Sequence, residues 1–133
     1  MSNTSIADFD FLKTCTSLSE LNLGRTDIAD TSVLAPLHWL KEVRLSRTKV
    51  SEINGLKNKV ILNDLSLYDT QVSDISALTA SVHLENINLK KTQVTNLDAL
   101  MHSNRLESLG VEESIDFAEI APLRERMPQL RVN

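Results

Sequence analysis

Histidine, cysteine and paired carboxylates are the usual seats of acid–base, nucleophilic and metal chemistry, and this chain uses them sparsely. His38, His83 and His102 stand at non-equivalent points of the sequence pattern, and each reads as a surface residue. Cys15 has no histidine in register with it that would favour a thiolate. The sequence has no CxxC, HExxH, GxSxG or phosphate-loop motif, and its three glycines do not build a phosphate cradle. It therefore offers no catalytic residue, no metal ligand set and no cofactor site. Recognition chemistry recurs instead. Glu20, Glu42, Asp64, Asn86 and Ser108 are spaced by 22 residues, as are Arg25, Arg47, Asp69, Lys91 and Glu113. Between them run Asn22, Arg44, Ser66 and Asn88, then Gly24, Ser46, Tyr68 and Lys90. Tyrosine and arginine dominate binding hot spots, which singles out Tyr68 with Arg44 and Arg47.

The elements that carry these residues follow from the same spacing. Leu18, Leu40, Leu62, Leu84 and Leu106 each open a similar phrase, and four consecutive units keep one register without insertion. A period of roughly 20–29 residues with LxxLxL is the signature of a stacked solenoid. Leu65 and Leu67 alternate with Ser66 and Tyr68, the period-two pattern of a strand of about four to six residues. Equivalent strands one repeat apart must be parallel and joined by crossovers, which are nearly always right-handed. In the crossovers, Val50, Ile53 and Leu56 are spaced by three, as are Val72, Ile75 and Leu78, and Val94, Leu97 and Leu100. Side chains eclipse at that spacing in 3₁₀ geometry. The expected fold is α/β: a right-handed solenoid with one curved parallel sheet of five or six short strands on its concave face. Short 3₁₀ or irregular crossovers occupy the convex face, and one helix lies near the C-terminus. The outward columns then run across the sheet, about 4.8 Å per repeat.

The phrases Thr48-Lys-Val-Ser-Glu-Ile-Asn-Gly-Leu56 and Thr70-Gln-Val-Ser-Asp-Ile-Ser-Ala-Leu78 resemble the leucine-rich repeats, in the 22-residue bacterial class of internalin-like proteins. The resemblance covers nearly the whole chain. It implies a bacterial protein with protein ligands. The family usually has Asn after the strand. Here the position holds Thr26, Thr48, Thr70 and Thr92, which read as a structural threonine ladder satisfying turn backbone.

The two ends differ from the middle. Residues 1–17 are either a partial repeat, matching Arg25–Thr31, or a cap in which Ser5–Asp8 starts a helix over 5–14. Residues 18–105 make four regular repeats, and 106–133 a divergent repeat with a final strand, the whole forming one domain. Phe117, Ile120, Leu123 and Met127 fall at helical spacing, with Pro122 suited to a first turn and Pro36 to a similar place. Met127–Asn133 reads as a sixth strand. Trp39 reads as core or flank packing, with an exposed anchor as the alternative. Strand edges left open at the ends make weak end-to-end dimerisation an expectation.

Charge and composition narrow the partner. A net charge of −4 with interspersed signs disfavours nucleic acid and anionic membrane. No stretch approaches the roughly 18 apolar residues of a membrane span. A lone cysteine forms no internal disulfide, which fits a cytoplasmic protein, although a secreted solenoid would also fit. The expected function is non-enzymatic protein binding through the concave face, using Tyr68, Arg44, Arg47, Glu20, Glu42, Asp64, Lys90 and Lys91. A small inhibitor of the immunity type and a scaffold segment assembling through its ends are the alternatives. In the regular repeats, the bland alternative for the charged columns is mutual compensation, for example Glu20 with Arg44.

Overall fold

A computed structural model of the chain describes residues 9–133. Six parallel strands form one sheet in sequential order. They are β1 (Glu20–Asn22), β2 (Glu42–Arg44), β3 (Asp64–Ser66), β4 (Asn86–Asn88), β5 (Ser108–Gly110) and β6 (Arg131–Val132). Segments of 3₁₀ helix at Asp10–Thr14, Thr31–Leu34, Asn54–Leu56, Ser76–Ala80 and Asp98–His102 alternate with them. One α-helix, α1 (Phe117–Arg126), precedes β6. From β1 to β5 every residue pairs with its equivalent 22 positions on, so Glu20 faces Glu42 and Glu42 faces Asp64. At the last step Ser108 faces Arg131, and the α-helical crossover absorbs one extra residue.

The strands have at most three residues, shorter than the alternation suggests. The cause is the backbone just beyond them. Arg25, Arg47, Asp69 and Lys91 have φ of 60°, 57°, 57° and 57°. This left-handed conformation turns the chain out of the sheet, at roughly 1–2 kcal/mol for a residue with a Cβ. Inter-repeat bonding nonetheless continues through it: Arg25 N–H donates to Ser46 O at 2.9 Å and Arg47 N–H to Tyr68 O at 2.9 Å.

The core is one cluster built from repeat-equivalent positions. Val43, Leu45, Leu65 and Leu67 enter it from the sheet, and Val50, Ile53, Leu56, Val72, Ile75 and Leu78 from the crossovers. Fully burying such a side chain is worth about 1.5–3 kcal/mol. Polar side chains just ahead of the second to fifth 3₁₀ segments bond the backbone of their first turns. Carboxylates of Asp30, Glu52 and Asp74 and the amide oxygen of Asn96 accept the N–H two residues on, at 2.8–2.9 Å. These bonds hold the Asp30 and Asp74 carboxyls below the ordinary range.

Residues 10–14 stand one repeat before Ser32–Pro36 and pack against the next 3₁₀ segment. Ser5–Asp8, on which the capping-box expectation turns, lies outside the described residues. Asp116, not Pro122, opens α1: its carboxylate accepts from Ala118 N–H at 2.9 Å. Pro122 therefore sits inside the helix rather than in its first turn. Pro36 follows its 3₁₀ segment rather than opening one. Glu119 ties α1 to the last regular repeat by accepting from Leu97 N–H at 2.8 Å. The final strand is confined to Arg131–Val132 because Met127–Leu130 turns back from the helix, with Leu130 N–H donating to Met127 O. Among the described residues no helix is long and apolar enough to cross a membrane.

Two contacts are particular to the second regular repeat, residues 40–61. A Cβ on Gly55 would lie 1.7 Å from Thr31 O, so only glycine lets these crossovers approach. Thr31 stands where later repeats have Ile53, Ile75 and Leu97, and its hydroxyl accepts from Gly55 N–H at 3.1 Å. Beside them Lys59 is 1% exposed and its ammonium donates to Ala35 O at 2.9 Å. Ser81 and Ser103, one and two repeats on, donate to Lys59 O and Ser81 O at 3.0 and 3.2 Å. Desolvation pushes the Lys59 pKa down.

Gly55→Ala should lower stability by about 1–3 kcal/mol through overpacking, read as a drop in the urea midpoint at unchanged slope. Lys59 makes a pH-dependent contribution of definite sign. Its depressed pKa means the folded chain binds fewer protons than the unfolded chain up to about pH 10.4. Stability should therefore rise with pH between the depressed value and that limit, and Lys59→Met should flatten the rise in a series of denaturant titrations. An equal slope in both proteins would contradict this.

Candidate functional site

The sheet face is built by residues that alternate with the core leucines. Its first column, at the strand starts, is Glu20, Glu42 and Asp64, followed by Asn86 and Ser108. Stacked carboxylates are unfavourable, and the expected diagonal compensation does not form. Glu20, Glu42 and Arg44 line one hollow, but the ion pairs among the described residues are Lys13–Asp10, Arg47–Asp69 and Lys49–Asp27. The cause lies in the register, which seats Arg44 between Asn22 and Ser66 instead of opposite a carboxylate.

The strand ends carry the opposite charge. Arg25, Arg44, Arg47 and Tyr68 line one groove, with Asn22, Gly24 and Ser46 completing it. Tyr68 is the centre of this end. The Arg47 guanidinium carbon and the Lys91 ammonium each lie 5.6 Å from its ring centroid, within reach of a cation–π contact. Hydrogen bonding to Lys91 first, then to Arg47, holds the Tyr68 phenol below its usual pKa, and their positive charges act in the same direction. Lys90 is set apart from the groove, in a hollow shared with Asp64, Asn86 and Asn88. The proposed residues therefore separate into an acidic strand-start column, a cationic cluster around Tyr68, and Lys90 beside Asp64.

The four threonines bond within their own turns. Thr26, Thr48, Thr70 and Thr92 hydroxyls donate to Leu23, Leu45, Leu67 and Leu89 carbonyls, three residues back, at 2.6–2.8 Å. Buried links between repeats come from other side chains, among them Lys59, Ser81 and Ser103. Sequence reasoning passed over these three because lysine and serine ordinarily mark surface. Their shared 22-residue spacing with buried Leu37 was the signal. Arg25 was placed in a column but not among the binding residues, and the groove includes it. Trp39 is 64% exposed rather than packed, because its neighbour Leu40 takes the buried position. His38, His83 and His102 are exposed. Among the described residues no cluster of three or more His, Cys, Asp or Glu side chains is placed to hold a metal ion.

No family model matches this chain, and no curated protein matches its sequence. Solved structures do match. Internalin C2 from Listeria monocytogenes superposes with a TM-score of 0.86 at 25% identity, over 99% of this chain and 57% of its own. A leucine-rich-repeat protein from Leptospira interrogans gives 0.83 at 20% identity, over 96% and 34%. The internalin inlF from Listeria monocytogenes gives 0.75 at 22% identity, over 98% and 45%. The fold is thus a leucine-rich-repeat fold that matches internalins. This chain spans between 34% and 57% of the length of these three proteins.

The protein has one tyrosine, so phenolate absorbance reports Tyr68 alone. It should titrate below the ordinary value of about 10. Lys91→Gln should raise the apparent pKa, and Arg47→Gln should raise it less. An apparent pKa at or above the ordinary value in the unmodified protein would contradict the geometry around the ring.

Proposed function

We propose that this chain is a non-enzymatic protein-interaction module that holds a protein partner on its sheet face. The observation that carries this reading is the cluster of Arg25, Arg44 and Arg47 around Tyr68, at the ends of adjacent strands. Tyrosine and arginine are the side chains most often found at the energetic centre of interfaces. The short, uniformly spaced strands support it further, because they present their outward side chains as a continuous surface. The scaffold holds that surface on backbone bonds between repeats, so little ordering is left to the moment of binding.

Affinity capture from the native cell, with mass-spectrometric identification, tests the reading. Tyr68→Ala combined with Arg47→Glu should weaken capture of the partner by at least about 2 kcal/mol in affinity, the size of a hot-spot loss. Thr95→Glu, on the exposed crossover side, should leave capture unchanged. Circular dichroism identical to the unmodified protein would establish that the double variant is folded. Full capture by the folded double variant would overturn the reading.

A further inference from the structure

We propose that the groove over the ends of β1, β2 and β3 seats an acidic segment of the partner, with side-chain carboxylates held by Arg25, Arg44 and Arg47. This rests on the sheet-face reading and makes its partner chemistry specific. Three guanidiniums line the groove and no carboxylate does. The Arg25 and Arg44 side chains have no ion pair or hydrogen bond to any described residue, and both residues are exposed. Arg47 has Asp69 at 3.8 Å, well beyond the roughly 2.7–2.9 Å of a charge-assisted hydrogen bond. A guanidinium has five N–H donors, so with one engaged by the Tyr68 phenol others can still turn toward a ligand. A guanidinium is donor-only and forked, and its best complement is a planar carboxylate bound through two oxygens.

Two further features restrict the occupant. The groove occupies about 400 Å³, enough for several side chains rather than one small ion. The same strands carry Glu20, Glu42 and Asp64 at their other ends, two residues from the Asn22–Arg44–Ser66 column. At about 3.3 Å per residue that is under 7 Å, inside the Debye length at physiological salt. A long polyanion such as nucleic acid would run from the cations onto this carboxylate row. A polypeptide whose acidic residues are followed by neutral or basic ones meets a complementary sign at both ends.

The test is an NMR titration of the isotope-labelled full chain at about 50 mM salt, where screening is weak. The probes are synthetic octaglutamate, octalysine, inorganic phosphate and an eight-nucleotide oligothymidylate. Octaglutamate should move the arginine Nε–H signals of Arg25, Arg44 and Arg47 and the Tyr68 ring signals, and octalysine should not. Arg25→Asn with Arg44→Gln should weaken octaglutamate at least about tenfold, a loss of about 1.4 kcal/mol, while preserving the amide spectrum. Asparagine tolerates the left-handed backbone at position 25, so the variant is compatible with the fold. Shifts centred elsewhere, undiminished binding by the double variant, or stronger binding of phosphate or oligothymidylate at these residues would each overturn the proposal. If octaglutamate leaves the groove silent while Tyr68→Ala with Arg47→Glu still loses the partner, the acidic-segment assignment fails and the sheet face stands. If that variant keeps the partner, the sheet-face reading itself fails.

Discussion

From β1 to β5, each strand bonds the strand exactly one repeat away on either side, and this constant offset governs the rest of the molecule. A parallel pair needs a crossover, and 22 residues leave room for one short 3₁₀ segment between strands. The buried leucines, isoleucines and valines stack into columns because the backbone ladder places equivalent residues side by side. The outward residues are stacked by the same ladder. Like charges such as Glu20, Glu42 and Asp64 are therefore neighbours by construction. Their placement follows from backbone register, and it costs what the register requires.

That register also divides the sheet face. Carboxylates gather where strands β1 to β3 begin, and guanidiniums gather where β1 and β2 end, beside Tyr68 from the end of β3. The turn that follows each strand is left-handed, which shortens the strand and brings the next charged side chain round to the rim. Tyr68 lies in this rim with the Arg47 and Lys91 cations each 5.6 Å from its ring centroid. Its aromatic surface and lowered phenol pKa come from that single placement.

Much of this was legible in the sequence, and the physical reason is periodicity. LxxLxL fixed the face of each leucine, and the 22-residue spacing gave the pairing partner of every outward residue. The columns of Glu20 and Arg25 could be written down before any coordinate was known. The threonines could be assigned to the turns, but not their bonding direction, since a hydroxyl reaches both its own turn and its neighbour's. What stayed hidden depended on residues that act against type. Lys59 is charged and buried, and Trp39 is aromatic and exposed. The positive φ of Arg25 and Arg47 carries no glycine or asparagine to announce it. Asp116 displaced Pro122 as the start of α1 because an N-cap bond outweighs the mild preference of proline for a first turn.

A chain of near-identical units has a difficulty that a unique sequence does not. Shifted by a whole repeat, its leucines still meet leucines, so a slipped stack or an exchange of units between two molecules loses little apolar contact. The close approach of Gly55 to Thr31 removes that degeneracy. Ala77 and Ala99 occupy the equivalent place in the next two repeats, and their methyl groups would collide where Gly55 fits. Lys59, displaced from Ala35, would be a charge sealed away from both water and a carbonyl. One glycine and one lysine thus act as a key that admits a single alignment of otherwise interchangeable parts.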